Sequence, residues 1–230
     1  MKTYKHLFFD LDRTLYDFES ASKHTLSDIY TKHNLQEFYK DFNQFYEIYK
    51  NHNYKLWVDY RNKKISKDKL NFNRFYNTLL EVGENNENLA CKMSKDYINI
   101  IPNKCILFPD THEVLTYLKS KYKLYIITNG FKEVQYKKIR KCNLNHYFDK
   151  TYISEEVGYN KPDNKYFQHV MQDCGAKIND CLVIGDDLDV DIQGAINSNI
   201  DSVWFNSDNI YSELPATFKI ESLKDLKEIL

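Results

Sequence analysis

HLFFDLDRTLYD, residues 6–17, decides how this chain is read. An apolar run stops at Asp10, and a second aspartate follows at Asp12. Two carboxylates that close repel each other, and both stay ionised more easily beside a cation. Surface strands also end in Asp-x-Asp for no chemical reason. The pair therefore gains meaning only from what the rest of the chain places near it.

Working outward, the chain changes grammar twice. Residues 16–100 hold no proline and one glycine, Gly83, whereas the remainder from 101 onward holds all four prolines and the other glycines. Helix interiors tolerate neither residue, so the first stretch reads as nearly all helix. Phe38, Phe42, Phe45, Tyr46 and Tyr49 recur at helical spacing as one apolar stripe. Ser66, followed by Lys69, Leu70, Phe72, Phe75, Tyr76 and Leu79, predicts a second, capped helix. Most aromatic residues of this block are expected in its core. Tyr16, Phe18 and Trp57 are the candidates to stack on a ligand ring.

The second stretch alternates. Apolar runs at 123–130, 150–154, 181–186 and 201–205 are separated by helical patterns near 111–121, 131–142, 163–174 and 187–198. That order predicts an α/β fold, a doubly wound parallel sheet with helices on both faces. Continuous apolar runs suit strands buried on both sides. HLFFDL joins them as the first strand, so the helical block is an insert after it. The expected domains are a core of residues 1–15 and 102–230 and a helical cap of 16–101.

Bulk properties narrow the partners. A formal net charge of −1 over 230 residues argues against a nucleic-acid polymer as ligand. No apolar run approaches the roughly 20 residues needed to span a bilayer, so no membrane association is expected. The N-terminus does not read as a signal peptide. The five cysteines, at 91, 105, 142, 174 and 181, form no C-x-x-C pair, so reduced thiols in a cytoplasmic protein are expected. A monomer or homodimer is expected.

The polar residues cluster where strands end. Asp10 and Asp12 follow LFF; Thr128, Asn129 and Gly130 follow LYII; Lys161 follows KTYIS; Asp186, Asp187 and Asp191 follow CLVI. In an open parallel sheet, ligands bind at the carboxyl ends of the strands. Phosphoryl transfer suits this set. A carboxylate can attack phosphorus to form an aspartyl-phosphate. Mg²⁺ bridges phosphate and carboxylates, and a lysine, a threonine hydroxyl and main-chain N–H groups supply donors. Asp10 then attacks, and Asp12 handles the proton on the leaving oxygen.

DLDRTL, ITNG, the Lys161–Pro162 step and GDDLDVDIQGA resemble, in order, the four motifs of the haloacid dehalogenase-like (HAD) hydrolases. The helical insert lies where that family carries its C1-type cap. The resemblance implies a Rossmann-like core and a Mg²⁺-dependent phosphatase acting on a small-molecule phosphomonoester. It implies Asp10 as nucleophile and Asp12 as general acid, then base. Thr128, Asn129 and Lys161 would bind phosphate. Asp10, the Asp12 carbonyl and Asp186 would bind Mg²⁺, with Asp191 in support. Arg13 departs from the glycine common after the second aspartate, in a loop that must still turn. Asp187 is expected to cap a helix. ITNGFKEVQYKKI, with YFDKTYISEEVGYNKPDNKYF, is similar to the bacterial pyrimidine 5′-nucleotidases. Alternatives are a sugar-phosphate phosphatase or phosphomutase. From other classes come a phospho-acceptor domain, in which the acidic pair comes first and the lysine last whereas here the nucleophile comes first and the acid cluster last, and an inactive binding protein.

Overall fold

The computed structural model describes residues 3–230. The chain divides into two compact units: one holds the residues up to Phe18 together with Cys105–Leu230, the other holds Glu19–Lys104. The expected cap of 16–101 differs from the second unit by a few residues at each end.

In the first unit, strands β1 (His6–Phe9), β2 (Lys123–Thr128), β3 (Lys150–Ile153), β4 (Cys181–Gly185), β5 (Asp201–Phe205) and β6 (Phe218–Ile220) form one sheet in the order β3-β2-β1-β4-β5-β6. Every neighbouring pair is parallel. The apolar runs become strands because both faces are covered. Phe8, Tyr125, Ile127 and Val183 pack with Tyr166, Phe167 and Val170 on one side, and Leu7, Phe9, Leu124 and Ile126 are buried on alternate positions. Phe9 pairs with both Ile126 and Ile184, so β1 ends two residues short of β2 and one short of β4. Chain direction across the sheet reverses between β1 and β4, the place where such sheets open a crevice.

The sequence reading differs from the fold in four places. The three-residue β6 was not anticipated. The helix expected over 187–198 is a wide π-helical turn, Leu188–Ile192, running into a short helix, Gln193–Asn197. Phe38 lies outside the helical stripe: it closes a 3₁₀ turn at Leu35–Glu37, and the helix begins at Phe42 because Asp41 caps it, accepting the Gln44 N–H at 2.9 Å. Cys105 and Cys142 are disulfide-bonded, with Cα atoms 5.3 Å apart, where free thiols were expected.

The second unit is helical: α1 (Phe18–Lys32, its first residue belonging to the other unit), α2 (Phe42–Arg61), α3 (Lys67–Leu80) and α4 (Glu87–Ile100). Ser66 caps α3 as expected, and Asn86 caps α4 by accepting the Leu89 N–H. Phe45, Tyr49, Phe75 and Tyr97 are buried as a ring cluster, with the Arg74 guanidinium 4.3 Å from the Tyr97 ring centre. Among the described residues, no helix is long and apolar enough to cross a membrane.

Candidate active site

β1 ends at Phe9 and its ladder runs one residue further, the Asp10 N–H donating to Ile184 O at 2.8 Å. The Asp10 carboxylate is thereby anchored at the crevice. The chain then closes a tight loop: Tyr16 N–H donates to Leu11 O, and Arg13 N–H to Tyr16 O. Arg13 takes φ 68°, the left-handed conformation that glycine adopts without strain. Its side chain is exposed.

Lys161 is the centre of the charge arrangement. It is 1% exposed, and its ammonium donates to Asp10 Oδ1 at 2.6 Å, Asp191 Oδ1 at 2.6 Å and Ile127 O at 3.0 Å. An ammonium has three donors, so all are committed. Asn129 holds the loop that carries this lysine. Its amide accepts from Lys161 N–H and donates to Lys161 O, so the side chain ties this loop to the end of β2. Asp191 comes from the π-helical turn, and its second oxygen accepts the Asp187 N–H. This packing needs Gly185, since a Cβ there would collide with the Asp191 carboxylate. Asp187 caps the turn, accepting the N–H groups of Asp189 and Val190. Asp186 accepts from the buried Thr14 hydroxyl at 3.1 Å.

Carboxylate oxygens of Asp10, Asp186 and Asp191 lie within 4.8 Å of one another. Burial pushes the Asp10 carboxyl up to about 8, Lys161 opposing the rise and Asp191 adding to it. Asp186 rises well above the usual carboxylate range, from desolvation and then from the charges of Asp10 and Asp191. Burial also raises Asp191, against the pull of Lys161. Burial alone would lower Lys161, but Asp10 and Asp191 outweigh it and hold the ammonium charged. Two of the acids share one lysine, and the oxygen donors of all three converge. That donor set fits a small hard divalent cation.

Thr128 ends β2 and is 1% exposed. Its hydroxyl oxygen accepts from the Gly130 N–H at 3.1 Å and from Gln135 Nε2 at 2.7 Å. With both acceptor positions filled, its O–H proton is the group left to donate.

Asp12 makes its side-chain bonds outside the acid cluster, though its charge still acts on Asp10. Its Oδ1 accepts from Lys138 Nζ at 2.5 Å and its Oδ2 from Gln135 Nε2 at 2.8 Å. Both partners lie on the helix α6 (Lys132–Lys141), which follows β2 as α5 (Thr111–Lys119) precedes it; the sequence reading passed over them. Gln135 and Lys138 are three positions apart, on one helix face, and that spacing directly after TNG was the available signal. Tyr16 was a stacking candidate, but it is fully buried and its ring lies 4.6 Å from Lys138 Nζ; Phe18 lies 5.1 Å away.

A family profile described as haloacid dehalogenase-like hydrolase matches residues 4–199. The pyrimidine 5′-nucleotidase PynA of Streptococcus pneumoniae is 30% identical over 99% of this chain and 95% of its own. The pyrimidine 5′-nucleotidase YjjG of Escherichia coli is 30% identical over 97% of this chain and 96% of its own. Among solved structures, the HAD-hydrolase YfnB of Bacillus subtilis, crystallised bound to magnesium, superposes with a TM-score of 0.89 at 29% identity, covering 100% of this chain and 99% of that one.

Proposed function

The chain belongs to the haloacid dehalogenase-like hydrolase family, and on that premise we propose that it hydrolyses phosphomonoesters through an aspartyl-phosphate on Asp10. Nucleoside 5′-monophosphates are the proposed substrate class. The observation that carries this reading is the charge arrangement at the strand ends: a buried ammonium shared by Asp10 and Asp191, beside a threonine hydroxyl with only its proton to give.

In the first step an Asp10 oxygen forms the bond to phosphorus, and the bond to the alcohol oxygen breaks. Asp12 delivers the proton that the leaving oxygen needs. In the second step Asp12 takes a proton from water, whose oxygen attacks phosphorus and releases Asp10. The Thr128 O–H donates to a phosphoryl oxygen in both steps. Lys161 offsets the charge on those oxygens, sharing the bond it makes to Asp10. Asp10, the Asp12 carbonyl and Asp186 would hold Mg²⁺, with Asp191 as support; when bound, the ion neutralises charge between the phosphate and the carboxylates. Positioning and electrostatics supply most of the acceleration in such transfers.

A carboxylate at position 12 favours an oxygen leaving group over a halide, which needs no proton. The two nucleotidase relatives support the substrate class. Phosphate release with Mg²⁺ from nucleoside monophosphates, sugar phosphates, phosphoglycolate and p-nitrophenyl phosphate tests it. Preference for pyrimidine monophosphates is expected. Preference for sugar phosphates would discard that class, and silence on every ester with Mg²⁺ still bound would leave a mutase, a narrow-specificity enzyme or a binding protein.

A further inference from the structure

Gln135 and Lys138 are buried on α6 and take no part in the steps above. Gln135 is 0% exposed and Lys138 is 2% exposed. Between them they bond both oxygens of Asp12, at 2.8 and 2.5 Å. We propose that Gln135 and Lys138 are positioning residues that fix the Asp12 carboxylate for proton transfer, with Gln135 aligning Thr128 in the same grip. This rests on the reading of Asp12 as the group that moves protons.

Three features argue that the grip is built rather than incidental. First, a carboxylate held at one oxygen can still rotate, whereas one held at both oxygens by donors from one rigid helix cannot. Second, Gln135 is held at a cost. Its two N–H groups go to Asp12 and Thr128, and its carbonyl oxygen is buried with no partner among the described residues. Turning the amide over would place that oxygen against the Asp12 carboxylate, so the orphan is retained to aim the donors. The close approach also needs Gly130, where a Cβ would collide with the Gln135 amide. Third, Lys138 is fixed from the other side. Its ammonium lies 4.6 Å from the Tyr16 ring centre and 5.1 Å from that of Phe18, so the aromatic residues after the aspartate loop hold the same cation that holds Asp12.

A residue acting through Asp12 should matter in proportion to how much the leaving group needs a proton. p-Nitrophenolate leaves without one, whereas an alkyl or ribose oxygen does not. The experiment measures kcat/KM of wild type, Asp12→Asn, Lys138→Met and the double variant on p-nitrophenyl phosphate and on a nucleoside monophosphate. Asp12→Asn is expected to lose roughly 10²–10⁴-fold on the nucleotide and much less on the aryl ester. Lys138→Met is expected to lose about 10- to 100-fold on the nucleotide, again less on the aryl ester, and to add nothing once Asp12 is Asn. Lys138→Arg should recover part of the loss. Equal losses of Lys138→Met on both esters, or additive losses in the double variant, would overturn the positioning role while leaving Asp12 in place. Equal losses of Asp12→Asn on both esters would instead remove the reading on which the proposal rests. Should Lys138→Met not fold, Gln135→Met is compared instead: a loss common to both esters is expected through Thr128, and a further loss on the nucleotide alone through Asp12, whose absence would overturn the role.

Discussion

As the proposed nucleophile, Asp10 must be ionised to attack, yet its surroundings raise its pKa to about 8. Lys161 at 2.6 Å offsets this only in part, since it is shared with Asp191. The amide of Asp10→Asn would keep a hydrogen-bond acceptor for Lys161 but has no nucleophilic carboxylate. That variant is expected to lose all turnover above background and to keep the wild-type circular dichroism spectrum. Retained phosphate release would remove Asp10 as nucleophile. Its neighbour Arg13 shows how an individual residue can resist its intrinsic preference. The loop closure between Leu11 and Tyr16 places position 13 at φ 68°, and the arginine accepts that conformation at a cost of about 1–2 kcal/mol. Arg13 also lowers the pKa of Asp186 through its charge, against larger effects that raise it, a contribution glycine would not make.

At the scale of elements, β1 and α6 carry the most. His6 opens β1, stacked beside Tyr125 with Nδ1 3.2 Å from the Tyr125 hydroxyl. Burial, followed by the charge of Lys123, lowers its pKa below 6.5. The unfolded chain therefore takes up a proton at a pH where the folded chain does not, and stability from this residue falls as pH drops through 6.5 toward the folded value. Urea titrations at pH 7.5 and 5.5 should show a larger loss for wild type than for His6→Asn; equal losses would remove His6 as the source. At the far end of α6, Cys142 is tied to Cys105, leaving Cys91, Cys174 and Cys181 free. Thiol titration in denaturant should count three groups before reduction and five after it. Five beforehand would mean that the pair is open in solution. α6 also shows why part of the site was not legible. Lys137, Lys138, Arg140 and Lys141 stand close together in the sequence, and nothing in their order marks one of them for burial. Only burial separates Lys138, at 2% exposure, from its neighbours.

For the whole molecule, the strand ends bring three carboxylates together, two of them on one lysine, and their mutual repulsion is relieved by a bound cation. Any divalent cation that binds the folded chain there must stabilise it by mass action, by about 2.7 kcal/mol at a hundredfold excess over its Kd. Adding Mg²⁺ to chelator-treated protein should raise Tm, and EDTA should reverse the shift and stop phosphate release. Asp186→Asn should abolish the Tm response. A Tm indifferent to both Mg²⁺ and EDTA would sink the metal assignment.

The linear order of residues determined a great deal here. Apolar runs such as LYII and CLVI, too continuous for a half-exposed sheet, read directly as buried parallel strands. Helix-breaking residues are nearly absent from 16–100, so the helical insert was legible too. Asp10, Thr128, Lys161 and Asp191 were legible as candidates, because each follows a strand whose end faces one crevice. Tertiary structure alone decided how those groups are divided. Asn129 binds the Lys161 loop, and Asp12 is bonded by Gln135 and Lys138 of α6. FKI at 218–220 became a strand only because β5 offers it an edge. The physical reason is common to all of these. Periodicity and turn chemistry act between neighbours in sequence and survive in a linear reading. The partner of a buried charge or amide is chosen among groups distant in the chain, and packing alone selects it.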